Sequence, residues 1–424
     1  MIILHTYLSV AATAFVLPPT VPPAASTGDL LAIRANTVES ISDGTLTHAV
    51  ILVESGKFAT VGEDLTVERG IPTLDLPDDW VVVPGLVNAY SRQGMDSTGG
   101  SGSDPQVLAS GELYAGASVY EDLLEAGITT LGLYPAGNGI PGQAVAVRPA
   151  GDTTEEMTLD DSVYLKIILR SNTSSKKMLR KGFEEADAYE EKEAKAREKW
   201  EKDQEKKKKK KDDEDEDDDE KKKEDEDSGV YTPPTPDADV QPFLDLRNGN
   251  LSALISISKA GDYLHLLDAL GDEEFDWDLR IPLSSEADIF HVADKIGERG
   301  CRVVLEPRLT RQPSTMRDRS LPAELFAAGV PLAFIPRSDS LGNQKVWMRD
   351  VGEVVAAGLD RQAALRAMTL EPAGILGLEE RLGSISSGKD ANLLIYSGDP
   401  FEPTSRLVAV MFEGRFVTGE KDLR

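Results

Sequence analysis

The 424-residue sequence has a single cysteine, four histidines and too few bases for its acids. Cys301 alone excludes an intramolecular disulfide framework and every metal site built from several thiolates. His5, His48, His265 and His291 set an upper limit on imidazole ligation. Lysine and arginine total 46 against 74 acids, a net charge of −28. Such a field repels DNA, RNA and anionic lipid, because binding them requires a basic surface that displaces counterions. A general nucleic-acid binder is excluded. The apolar N-terminal run, Ile2 to Leu17, is shorter than the ~20 residues a spanning helix needs. No H-E-x-x-H, Walker loop or nucleophile-elbow sequence occurs.

What is present is a chain long enough for two domains, with 40% hydrophobic residues. Residues 1–26 read as a signal peptide. An apolar segment runs into a Pro/Ala stretch, with Ala12-Thr13-Ala14 or Pro23-Ala24-Ala25 as cleavage positions. That reading sends the protein to the periplasm or outside the cell; without it, residues 1–26 are a disordered start of a cytoplasmic protein. Short β-branched runs flank turns at both ends. Thr47–Val53 and Phe58–Val61 surround Glu54-Ser55-Gly56-Lys57, while Leu407–Phe412 and Phe416-Val417 surround Glu413-Gly414-Arg415. Two such hairpin regions predict a single small β-domain completed by both chain ends, residues 27–80 and 381–424.

Between them, eight strand-like runs alternate with helical stretches. They are Leu86–Tyr90, Thr129–Tyr134, Ala144–Arg148, Tyr164–Leu169, Ala253–Ser258, Arg280–Ser285, Arg302–Glu306 and Pro331–Pro336. Repeated strand–helix units predict an α/β fold with a parallel sheet, and eight strands suffice to close a (β/α)8 TIM-like barrel over residues 81–380. A charged low-complexity insertion at 184–236 interrupts it. From Glu184 to Asp227 there are 23 acids and 14 bases. Glu191/Lys195 and Glu198/Lys202 have helix-stabilising i,i+4 spacing, whereas Lys206–Lys211 and Asp212–Glu220 are self-repelling blocks. The expectation is a solvated helix fading into disorder, closed by the extended Thr232-Pro233-Pro234-Thr235-Pro236. A basic partner for this insertion is the alternative.

The segment Val81-Val82-Val83-Pro84-Gly85-Leu86-Val87-Asn88-Ala89-Tyr90-Ser91-Arg92 resembles the entry into the first barrel strand of the amidohydrolase superfamily, nearest to imidazolonepropionase-like amidohydrolases. Gly127-Ile128-Thr129-Thr130 resembles that family's second strand, and Glu371-Pro372-Ala373 its N-P-A helix start. The run from Gly377 to Leu393, ending Ser387-Gly388-Lys389-Asp390-Ala391-Asn392-Leu393, resembles its return into the small β-domain. The resemblance implies a TIM barrel flanked by a small β-sandwich built from both chain ends, zinc or another divalent metal, and hydrolysis of non-peptide C–N bonds. It also implies metal ligands from an H-x-H pair, histidines on strands 5 and 6, an Asp on strand 8 and, in some members, a Lys on strand 4.

At those places this sequence carries other residues. Tyr90 and Arg92 stand for the H-x-H pair, Ser256 and Ser258 for strand 5, and Ser285 for strand 6. Arg337 stands at the strand 8 aspartate position, or Asp339 after a two-residue slip. Lys166 keeps the strand 4 type. His265 and His291 fall on helical patterns and His48 on the end domain. The leading expectation is therefore an amidohydrolase-like pseudoenzyme with no metal. It would bind a small anion through Tyr90, Arg92, Ser256, Ser258, Lys259, Ser285 or Arg337, or serve as a non-catalytic partner in a homo-oligomer or beside an active relative. Internal salt bridges filling the vacated cavity are the plainer expectation for its cations. The alternative is an active hydrolase of cyclic amides, with Lys166, Glu306 and Asp339 as candidate catalytic groups, or a serine–lysine pair joining Lys166 to Ser256, Ser258 or Ser285. The glycine-rich stretch Gly94–Ser103 reads as a mobile loop or a backbone cradle for an anion.

Overall fold

The computed structural model describes residues 30–213, 230–283, 288–312, 314–419 and 423. The expected signal segment, Ser285 and most of the acidic block lie outside them. Among the described residues, twenty strands run in chain order. The first five are β1 (Leu31–Glu39), β2 (Thr45–Glu54), β3 (Lys57–Glu63), β4 (Thr73–Asp75) and β5 (Val81–Pro84). Then come β6 (Leu86–Ser91), β7 (Ser101–Ser103), β8 (Ile128–Leu133), β9 (Asn138–Ile140), β10 (Gly142–Val147), β11 (Thr158–Ile168), β12 (Ser252–Ser256), β13 (Trp277–Arg280) and β14 (Val303–Leu305). The last are β15 (Thr310–Arg311), β16 (Asp318–Arg319), β17 (Leu332–Phe334), β18 (Leu393–Tyr396), β19 (Leu407–Phe412) and β20 (Arg415–Thr418).

Strands from both chain ends share one hydrogen-bonded sheet, in the order β20-β19-β18-β5-β1-β2-β3 with β4 beside β1. The seam is the antiparallel β5–β18 pair, where Val82 faces Ile395. Ile33, Ile51, Phe58, Val82, Leu393, Ile395 and Met411 form this sheet's own core. The C-terminal signature stitches the seam. Phe58 N–H donates to the Lys389 carbonyl, Ala391 N–H to that of Gly56, and Gly85 N–H to that of Asn392.

The second sheet runs β17-β14-β13-β12-β11-β10-β8-β6, a nearly closed eight-stranded barrel. Two expectations need correction. The third strand, β10, is antiparallel to both β8 and β11. Only residues 134–141 connect β8 to β10, and a parallel crossover takes a dozen residues or more. The sixth strand is Trp277–Arg280, not Arg280–Ser285. Its alternation puts Trp277 and Leu279 against the helices.

Alternation also sorts the barrel residues. Leu165, Ile167, Ala253, Ile255, Val303 and Leu305 pack outward under the helices. Val87, Ala89, Ala144, Ala146, Tyr164, Leu254, Val304 and Ala333 fill the lumen. The motif glycine Gly85 is explained by a close approach: a Cβ there would lie 2.4 Å from Thr129 Oγ1 and 2.6 Å from its Cγ2. Thr129 is buried and belongs to the second motif, so the two motifs touch. Gly85→Ala should destabilise by about 1–3 kcal/mol through overpacking, read as a lower denaturant midpoint at unchanged m. A wild-type midpoint would show that Thr129 yields without cost.

The insertion begins as a 41-residue helix, Thr173–Asp213. Leu179, Phe183 and Ala186 bury its first turns in the main core. Beyond Tyr189 it is solvated and carries the expected pairs Lys195–Glu191 and Lys202–Glu198. The Pro-rich segment returns along it, with Tyr189 Oη donating to the Pro234 carbonyl and Tyr231 Oη to that of Glu193.

Candidate functional site

In a TIM-like barrel the chemistry belongs at the C-terminal strand ends. Tyr90 and Ser91 arrive there on β6, Lys166 on β11, Ser256 on β12 and Arg280 on β13. Tyr134, Glu306 and Asp339 follow just beyond β8, β14 and β17. Inward alternation carries Tyr164 and Lys166 to the same side, and register sets Arg280 between Ser256 and Val304.

The mouth is packed by aromatic rings and cations. Tyr90 and Tyr134 stack at 3.8 Å between centroids. The Lys166 ammonium sits 4.1 Å from the Tyr134 ring centre, and the Arg280 guanidinium carbon 5.2 Å from that of Tyr90. Lys166 is 3% exposed and donates to the Pro135 carbonyl at 3.0 Å. Burial pushes its amine down to about 7, the Arg92 charge pushes the same way, and Glu112 opposes both. Arg280 donates from Nη2 to Glu306 Oε1 at 2.5 Å, and Glu306 Oε2 accepts from Leu283 N–H at 2.9 Å.

Asp339 closes the barrel. It accepts from Ser91 Oγ at 2.7 Å and from Arg92 N–H at 3.1 Å, while its carbonyl accepts from the Gln93 amide. These bonds join the end of β6 to the segment after β17, which have no strand pairing between them. Burial raises the Asp339 carboxyl above its ordinary value, against the lowering effect of the Ser91 and Arg92 bonds. Burial raises the Tyr90 and Tyr134 phenols as well.

Arg92 lies over the mouth, 5.8 Å from the Tyr134 ring centre, and the other sequence candidates are placed elsewhere. Arg92 holds loops together: Nη1 donates to the Tyr134 carbonyl at 2.8 Å, and Nη2 reaches the Ser97 carbonyl and Glu112. Arg337 turns to the helix Trp347–Ala356, pairing with Asp350 at 3.3 Å and Glu353 at 2.6 Å. The expectation that it faces the mouth is corrected, and Asp339 supplies the strand-8 carboxylate there. Lys259 is exposed at the start of the helix Ala260–Leu270. Ser258 is half-buried, and its N–H donates to Asp262. Ser256 is buried, and the hydrogen bond that fixes Lys166 goes to Pro135 rather than to a serine. His48 is exposed on β2, His265 half-buried on its helix and His291 exposed after β13.

The end of the glycine-rich stretch is strand-paired. β7 pairs with β9, and a Cβ on Gly99, whose φ is +60°, would lie 2.3 Å from the Ala136 carbonyl carbon. Arg280, Tyr134, Glu112 and Ser91 are the mouth residues that sequence reasoning missed. For Arg280 the signal existed, in the alternation Phe275, Trp277, Leu279, Ile281. At the opposite end of the barrel a cleft of about 510 Å³ is bordered by Asp278, Cys301 and Arg302. Asp278 is committed there to Arg302, and burial pushes the Cys301 thiol up to about 12, which makes it inert. Among the described residues no three His, Cys, Asp or Glu side chains converge as a metal site, and no helix is long and apolar enough to cross a membrane.

The fold and mouth together define an α/β protein with a TIM-barrel-like sheet and a second sheet built from both chain ends. Residues 345–418 match the amidohydrolase family model. An amidohydrolase from Thermotoga maritima MSB8 is similar over 92% of this chain and 99% of its own, with a TM-score of 0.71 at 21% identity. A β-aspartyl dipeptidase from Fervidobacterium islandicum AW-1 is similar over 93% of this chain and 97% of its own, with a TM-score of 0.54 at 15% identity. At such identities these likenesses establish the fold. No curated protein matches the chain.

Proposed function

We propose that this amidohydrolase-type protein holds no divalent ion at its barrel mouth and performs no metal-dependent hydrolysis. It is a pseudoenzyme that binds a small anionic compound or acts as a non-catalytic partner, in a homo-oligomer or beside an active relative. The family fold implies zinc or a similar ion, and the donor set does not fit one. The observation that carries this reading is the buried Arg280 guanidinium at the end of β13, in the same mouth as the buried Lys166 amine of β11. A divalent ion about 6 Å from one such charge is repelled by roughly 5 kcal/mol at an effective dielectric of 20. The phenol at position 90 is stacked on Tyr134, and the guanidinium at position 92 is committed to its loops. In this reading the chain-end sheet is the family's small β-sandwich.

Protein purified without chelator should contain far less than one zinc, iron or manganese per chain. It should not turn over cyclic amides or imidazolones when those metals are added. Stoichiometric metal or metal-dependent turnover overturns the reading. One observation favours the alternative, an active hydrolase of cyclic amides and other non-peptide C–N bonds. The Lys166 amine, held near 7 by burial, is available in its neutral, basic form at physiological pH. Metal-free turnover that disappears in Lys166→Met would establish that alternative instead.

A further inference from the structure

We propose that the Arg280 guanidinium anchors a site for a small organic monocarboxylate inside the barrel mouth, walled by the stacked Tyr90 and Tyr134 rings. The inference rests on the metal-free reading above and names the ligand class of the same site. Arg280 is 7% exposed. Glu306 takes one donor from its Nη2, and Leu283 N–H holds the other Glu306 oxygen. The guanidinium is thereby fixed in place with Nε and Nη1 both buried and lacking any acceptor. Charged donors left dry in this way are costly, and native interiors supply a partner for them. None of the described residues provides one for Nε or Nη1, and the inference takes the acceptor from outside the chain.

Charge and shape narrow the class. Arg92 is paired with Glu112 and Arg280 with Glu306, while Lys166 and Asp339 have no direct ion pair with each other. A monoanion adds a single charge facing Arg280 and Lys166. A phosphate dianion would add two beside Glu306, Glu112 and Asp339. The Arg280 guanidinium carbon lies 5.2 Å from the centre of the flat Tyr90 ring, which stacks on Tyr134. These surfaces suit a flat or short apolar body carrying one carboxylate, which accepts charge-assisted hydrogen bonds.

Calorimetric titration of the full-length protein with benzoate, benzamide and inorganic phosphate tests this. Benzoate should bind at least about tenfold more tightly than benzamide, its neutral counterpart, and more tightly than phosphate. Arg280→Gln should weaken benzoate by about tenfold or more, and Lys259→Gln, at an exposed position away from the lumen, should not. Glu306→Gln should strengthen benzoate, because it removes a neighbouring negative charge and releases Nη2. This variant and the benzamide contrast decide the matter if Arg280→Gln does not fold. Equal binding of benzoate and benzamide, tighter binding of phosphate, or absence of benzoate binding at millimolar concentration overturns the inference. Those outcomes leave the metal-free reading standing. Stoichiometric metal in the same preparation would overturn that reading, whatever the benzoate result.

Discussion

Lys166→Met should be more stable than the wild type at pH 6, by about 2 kcal/mol, and should lose that advantage by about pH 10. The amine is held at about 7 against an ordinary 10.5, first by burial and then by the Arg92 charge. At about 1.4 kcal/mol per pH unit, keeping this ammonium charged costs the folded state on the order of 4 kcal/mol. The sign follows from proton binding. Between the folded and unfolded values the unfolded chain binds the extra proton, so wild-type stability rises with pH from about 7 towards 10.5. Below that window the group is protonated in both states and the penalty is complete. Methionine removes it but leaves the Pro135 carbonyl without its donor, an offset of about 1 kcal/mol or more. Urea midpoints of both proteins across this range measure the difference. A wild-type curve that is flat there, with the variant weaker at pH 6, would show that the ammonium is stabilised where it sits.

The architecture was legible because it rests on period and on motif. Alternating runs marked the strands, and the two hairpins at opposite chain ends pointed to a joint sheet, whose seam the Gly388–Leu393 signature stitches. What escaped was set by connection length and by local side-chain choice. Nothing in the composition of Ala144–Arg148 distinguishes an antiparallel strand. Its direction comes from the few residues between β8 and β10. Strand 6 was displaced because Arg280 looks like the start of a strand, yet here it is the last residue, held at the mouth by Glu306. Arg92 and Arg337 lie in the sequence where a lumen group is expected, and each pairs with carboxylates that only the fold brings near, Glu112 in one case and Asp350 with Glu353 in the other. A cation's position in a strand–loop motif therefore says less about its role than the acids packed around it.

Arg92→Ala should cost about 2–4 kcal/mol of folding free energy, and the loss should concentrate in the loops over the mouth. The side chain is only 15% exposed, and Glu112, its ion-pair partner, 26%. Its removal frees the Tyr134 and Ser97 carbonyls and leaves the Glu112 carboxylate with Ser97 Oγ as its remaining partner in this cluster. Hydrogen exchange should accelerate in residues 94–103 and 134–140 well before the barrel strands lose protection. The double change Tyr90→His/Arg92→His, which installs the H-x-H pair that the sequence resemblance implies, should be at least as destabilised, because it also breaks the Tyr90–Tyr134 stack. It should still fail to retain zinc, since Lys166 and Arg280 stay in the lumen. Stoichiometric zinc in that variant would show that the buried cations do not decide the mouth's chemistry. Arg92→Ala also carries an internal check. After burial, Arg92 is the charge that depresses the Lys166 amine, so its loss should move the lower edge of the pH window above upward. An unchanged window would leave burial alone responsible for the shift at Lys166.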